Sequence, residues 1–150
     1  MNKGGRHKAR SAAVQALYQW QMTEQQPCNI EKHFIHDHDM SGVDVEYFHH
    51  LVSEIPLHVH ELDDHITPHL DRKLNEVDPV ELACLRLGTF EFEFHLEIPC
   101  KVILNESVEL AKTFGAEHGH KYVNAILDKI AAKLRADEIK NIHSTLSPRP

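Results

Sequence analysis

The stretch Asp78-Pro79-Val80-Glu81-Leu82-Ala83-Cys84-Leu85-Arg86-Leu87-Gly88-Thr89-Phe90-Glu91-Phe92-Glu93-Phe94 decides the fold. Asp78 can cap free backbone N–H groups, Pro79 suits a first helical position because it has no N–H to lose, and Glu81 completes a capping-box pattern. Beyond this start, Ala83, Leu87, Phe90 and Phe94 line one side of a helix, and Leu82, Leu85, Phe92 and Leu96 line another. A helix that is apolar on more than one side needs several neighbours, so it is expected at the centre of a bundle. Glu81, Arg86 and Glu91 fall off the stripes; they are expected on an exposed face open to a protein partner, although Glu81 needs no role beyond capping its own helix.

Outward from this helix the same period recurs. Ala9, Ala13, Ala16, Leu17 and Trp20 form one apolar stripe, which predicts a helix from about Lys8 to Thr23. After Pro99, a helix over about Val102–Phe114 presents Ile103, Leu110, Ala111 and Phe114, and Gly115 is placed to end it. The last, about His120–Arg135, carries Val123, Ile126, Leu127, Ile130 and Leu134. Between Pro27 and Asn75 the pattern is less regular. Shorter helices are expected near Ile30–His38, Asp44–Glu54 and Leu57–Ile66, with a turn or two over Leu70–Asn75. No stretch alternates like a strand, so the fold class is all-α: one compact bundle of six or seven short helices, with residues 137–150 as a disordered tail.

A chain of 150 residues with 41% apolar and 26% charged residues has the make-up of one soluble domain. No uninterrupted aliphatic run exceeds that of Val102-Ile103-Leu104, far short of a membrane span, and no apolar segment follows the basic N-terminus as in a secretory signal. The three cysteines, Cys28, Cys84 and Cys100, are odd in number and in no metal-ligand spacing, which predicts free thiols in a reducing cytosol. Phosphate loops and nucleophile elbows are missing. A binding module without catalysis or cofactor is expected.

Charge narrows the kind of ligand. The net charge is −7, yet residues 1–23 carry Lys3, Arg6, Lys8 and Arg10 and no acid, which leaves −11 for the remainder. A basic arm on an acidic body can offer a polyanion only one local site. Of the fourteen histidines, nine form loose groups: His33, His36 and His38; His49 and His50; His58, His60, His65 and His69. Their spacing matches no recognised zinc site, so the expectation is a polar surface with no metal centre. Arg6, Arg10, Val14 and Tyr18 lie at steps of four along the first helix, flanked by His7 and Lys8. Cations running into an aromatic ring suit single-stranded RNA, whose phosphates meet guanidinium groups and whose bases stack on π-faces. His118, His120, Lys121 and Tyr122 form a second polar and aromatic cluster, with Tyr122 readable equally as a half-buried core residue.

Three segments together resemble the NusB family of bacterial transcription antitermination factors. They are Arg6-His7-Lys8-Ala9-Arg10 with Ala13 to Gln21, Glu81 to Glu91, and Pro99 to Gly115 continuing to Lys121-Tyr122-Val123-Asn124. The likeness runs from about residue 6 to 135 and implies one domain over residues 1–150, with a basic arm at 1–10 and two small helical subdomains. It implies no enzymatic activity. NusB-like proteins pair with the ribosomal protein NusE, bind the boxA element of nascent RNA, and help RNA polymerase read through terminators in ribosomal RNA operons. By this resemblance Arg6, His7, Lys8 and Arg10 occupy the arginine-rich RNA-binding motif, and His118, Lys121 and Tyr122 lie near the RNA. Tyr18 and Glu81 fall on the NusE side. His7 and Lys8 dilute the motif, His118 stands where an acid is expected, and Ala125 replaces a usual glycine. The alternatives are a protein-only scaffold, a detached RNA-binding module of the ribosomal RNA methyltransferase type, or a histidine-based metalloenzyme.

Overall fold

The computed structural model describes residues 3–140. Seven α-helices follow in order: α1 Lys3–Met22, α2 Pro27–Asp37, α3 Val45–Leu57, α4 Val59–Ile66, α5 Pro79–Phe94, α6 Cys100–Phe114 and α7 Gly119–Leu134. Single 3₁₀ turns at Thr67–His69 and Leu74–Glu76 carry the chain from α4 to α5. Helices α1, α2 and α3 form one group; α5, α6 and α7, with α4 laid on α5, form the other. Helix α1 packs on both α3 and α5, so one apolar core runs through the two groups.

Helix α5 starts where its sequence places it. The Asp78 carboxylate accepts from the backbone N–H of Val80 at 2.9 Å and of Glu81 at 3.2 Å, which satisfies donors that have no partner inside the helix. Gly88 lets α6 and α7 close on it. A Cβ there would lie 2.9 Å from Ser107 Oγ and 3.0 Å from Leu127 Cδ1.

Several expectations are corrected. Glu81, Arg86 and Glu91 are buried, not exposed. Arg86 donates to both Asp63 oxygens at 2.9 Å and to Gln21 at 3.1 Å, tying α5 to α4 and α1. Phe94 and Leu96, placed on core stripes, are exposed; α5 ends at Phe94, so Leu96 falls outside the helical repeat. Helix α1 begins five residues early, since the Gly5 carbonyl accepts from Asp44 N at 3.0 Å and anchors the first turn to α3. Pro56 falls inside the last turn of α3, where its missing N–H removes only one bond.

The chain also stays helical over 136–140, beyond the expected end. Arg135 closes α7 by donating to the carbonyls of Phe92, Ile98 and His95 at 2.9 to 3.0 Å. Glu138 then accepts from Cys100 N at 2.8 Å, and Ile139 packs against the core. The tail therefore starts no earlier than 141; residues 141–150 lie outside the described residues. Cys84 and Cys100 are buried, Cys28 is exposed, and all three are free thiols.

Candidate nucleic-acid interface

The start of α1 is locked to α3 by backbone and cap. Asp44 accepts from Tyr47 N at 3.0 Å while its own N–H reaches Gly5, which sets Tyr47 directly beneath the first turns of α1. Tyr47 fills the space between the two arginines of the arm: the Arg6 guanidinium carbon lies 4.3 Å from the ring centroid and that of Arg10 lies 5.6 Å away. The Tyr47 hydroxyl donates to Glu91. Burial, followed by the Glu91 carboxylate, raises the Tyr47 pKa, so the phenol remains a donor.

The two arginines have different fates. Arg10 is 4% exposed; its Nε donates to both oxygens of the fully buried Glu91, at 3.2 and 2.9 Å, with Glu106 at 3.8 Å. Burial opposes its charge, but Glu91 more than offsets this and raises the Arg10 pKa. The expectation of Arg10 as a phosphate contact is thereby corrected: its guanidinium holds α1 to α5 and has no free edge for a ligand. Arg6 keeps 32% of its side chain exposed, with Glu97 at 4.0 Å.

His7 and Lys8 point outward and are exposed. His7 Nδ1 lies 2.6 Å from Glu106 on α6, so this carboxylate serves both His7 and Arg10. The Lys8 stem crosses the turn at Gly42, whose φ of +76° favours glycine and where a Cβ would meet Lys8 Nζ at 2.9 Å.

Across α6 from this edge, Lys112, His118, His120 and Lys121 line a second depression with Gly115 and Glu117. Asn105, Glu109 and Asn124 extend it between α6 and α7. His118 sits at the left-handed N-cap of α7, φ 72°, a conformation histidine enters more readily than bulkier residues. Tyr122 turns elsewhere. Its hydroxyl donates to Asp71 at 3.3 Å, Arg72 lies 4.5 Å over its ring, and it packs against the core. Glu81 belongs to this second neighbourhood: it lies under the start of α7, where a Cβ on Gly119 would come within 2.7 Å of its carboxylate. Burial, then Asp78, raises the Glu81 pKa against the pull of Arg72.

Three residues of the rim escape the sequence reading: Asn105, Glu109 and Lys112. Their steps of four and three mark the polar face of α6, a signal visible in the sequence once its apolar stripe is removed. At the far end of α1, Tyr18 is 39% exposed and borders an open apolar groove of about 520 Å³ with Val14, Met22, Phe34, Val80 and Phe114. Among the described residues no group of three or more His, Cys, Asp and Glu side chains is placed to hold a metal ion, and no helix is long and apolar enough to cross a membrane.

Residues 7–132 match the model of the NusB family. The transcription antitermination protein NusB of Nitrosococcus oceani is 54% identical over 136 residues, covering 91% of each chain. That of Shewanella halifaxensis is 47% identical, covering 90% of this chain and all of the relative. Among solved structures, T. maritima NusB superposes with a TM-score of 0.75 at 30% identity over 85% of this chain and 90% of its own. A complex of the antitermination factors NusB and NusE with dsRNA gives 0.74 at 28% identity, over 83% of this chain and 94% of that one. A match of this extent, carried by sequence and fold together, settles kinship: the chain belongs to the NusB family, whose relatives are named for transcription antitermination.

Proposed function

We propose that this antitermination factor works without catalysis, holding a single strand of boxA-type RNA on one side and the ribosomal protein NusE on another. The observation that carries the reading is the placement of exposed cations on a chain of net charge −7: Lys8 on α1, at the turn of Gly42, and Lys112 and Lys121 in the depression between α6 and α7. His7 adds an imidazole beside Lys8, and His118 adds one beside Lys112 and Lys121. The partner would occupy the groove at Tyr18, with Glu81 holding the start of α7 from beneath. Tyr122 supports the Glu81 side more than the RNA edge. The solved NusB complex contains NusE and duplex RNA; the preference for a single strand rests on guanidinium and imidazole groups suited to unpaired bases. Loading onto RNA polymerase and a cytoplasmic location follow from the role, and the free thiols accord with a reducing compartment.

The test is a titration with boxA-like RNA, alone and with NusE. Binding should tighten when NusE is present. If Lys8, Lys112 and Lys121 each neutralise one phosphate, log K falls with log salt at a slope of about −2 for a single strand. Equal affinity for duplex DNA defeats the reading.

A further inference from the structure

Resting on that reading of the α1 edge, we infer that Arg6 is a stacking platform for one unpaired nucleobase and not a phosphate contact. A guanidinium is planar and delocalised, with two faces and a rim of N–H donors. The Arg6 guanidinium lies over the Tyr47 ring, its carbon 4.3 Å from the centroid. That ring is anchored: Tyr47 is 5% exposed and its hydroxyl is held by Glu91, which Arg10 clamps in turn. Among the described residues Tyr47 is the single ring partner of Arg6, and a third of the side chain remains in solvent; the ligand ring would stack on the guanidinium from that solvent side.

The surrounding charge selects a base over a phosphate. Glu97 stands 4.0 Å from the Arg6 guanidinium and is fixed there by His95 Nδ1 at 2.8 Å. Glu91 and Glu106 lie behind Arg10. Both guanidiniums are thus already paired with carboxylates, so a phosphate entering this spot finds no unmatched positive charge. A nucleobase carries no charge, presents a π-face, and gains a cation–π contact on a cation already oriented by Tyr47. Phosphates are left to Lys8, whose ammonium sits further out at Gly42.

The experiment uses the full-length protein with NusE and a boxA-like RNA carrying 2-aminopurine at each position in turn. Stacking on Arg6 should quench emission at one position on binding. Arg6→Lys keeps the charge but has no plane: it should restore that emission and weaken binding about tenfold, with near-UV circular dichroism unchanged. Arg6→Gln removes the charge and should leave the salt slope as in wild type. Overturning results are wild-type affinity in Arg6→Lys, or a salt slope shallower by about 0.7 in Arg6→Gln, the value for one lost phosphate. Wild-type binding with full emission at every position sinks the platform alone. Absence of RNA binding by the wild-type complex sinks the functional reading as well.

Discussion

The two ends of α1 are built on opposite principles. Its first turns carry Arg6, His7, Lys8 and Arg10, and each of the outer pair of arginines is matched to carboxylates on another part of the fold: Arg6 to Glu97, Arg10 to Glu91 and Glu106. Its last turns carry Val14, Tyr18 and Met22 along an apolar groove closed by Phe34, Val80 and Phe114. Charge at one end is directional and partly consumed by the fold; apolar surface at the other is non-directional and left open. A single rigid helix thereby separates an edge suited to RNA from a groove suited to a protein. A feature that belongs to the fold should fail globally when altered, whereas features of either surface should fail one at a time.

The largest effect is expected where charge has been absorbed into the core. Glu91→Ala leaves the Arg10 guanidinium buried without its carboxylate and the Tyr47 hydroxyl without its acceptor. A loss of about 3–5 kcal/mol in urea unfolding is expected. Tyr47→Phe keeps the ring and should cost much less, about 1–2 kcal/mol. If Arg10 served RNA instead, Glu91→Ala would liberate it and strengthen RNA binding; weaker or equal binding in folded protein keeps the two roles apart.

The groove comes next. Val80→Glu puts a charge among Tyr18, Phe34 and Phe114 without touching the core beneath. Affinity for NusE, read by calorimetry, should fall about 30-fold, in the range of an interface hot spot, while RNA binding by the free protein stays constant. Parallel losses of both would show that the two ends of α1 are one surface. At the other end, Lys8→Ala should flatten the salt dependence of RNA binding by about 0.7 in log–log slope and leave NusE affinity alone.

How far the sequence reveals this division differs between the ends. Helices are legible wherever an apolar stripe recurs at helical period, as in α5, α6 and α7, because burying one face against neighbours contributes most to forming them. Legibility stops where tertiary contact overrides local pattern: the early start of α1 depends on Asp44 bonding Gly5, and the helix over 136–140 depends on Glu138 reaching Cys100. Arg10 misleads for a related reason. A cation at a step of four from Arg6 looks exposed until its partner, 81 positions away in the chain, is known to be a buried glutamate. Glu91 is equally readable as solvated charge. Pairing across long separations leaves no mark on either residue alone, and the candidate site is therefore visible in the sequence as a region but not as a division of labour.

The smallest expected effect lies in the histidines behind Arg6. His50 Nε2 and His95 Nε2 stand 2.8 Å apart, and His95 Nδ1 is 2.8 Å from Glu97. A donor to a carboxylate fixes the Nδ1–H tautomer of His95, so its Nε2 accepts the proton of His50. Burial, then His95, lowers the His50 pKa, with Arg6 and His49 acting in the same direction and Glu54 against it. The folded state therefore binds this proton less readily than the unfolded chain. As pH falls below about 6.5, the unpaired histidine value, the unfolded chain gains a proton that the folded chain resists, and stability declines. His50→Gln should flatten this part of the pH–stability curve by less than about 1 kcal/mol between about pH 7.5 and 5.5, measured by urea midpoints at both values. A decline equally steep in the variant would show that the His50 proton does not carry the acid sensitivity, and the His50–His95–Glu97 chain would then be an arrangement of positions with no weight in the pH dependence of folding.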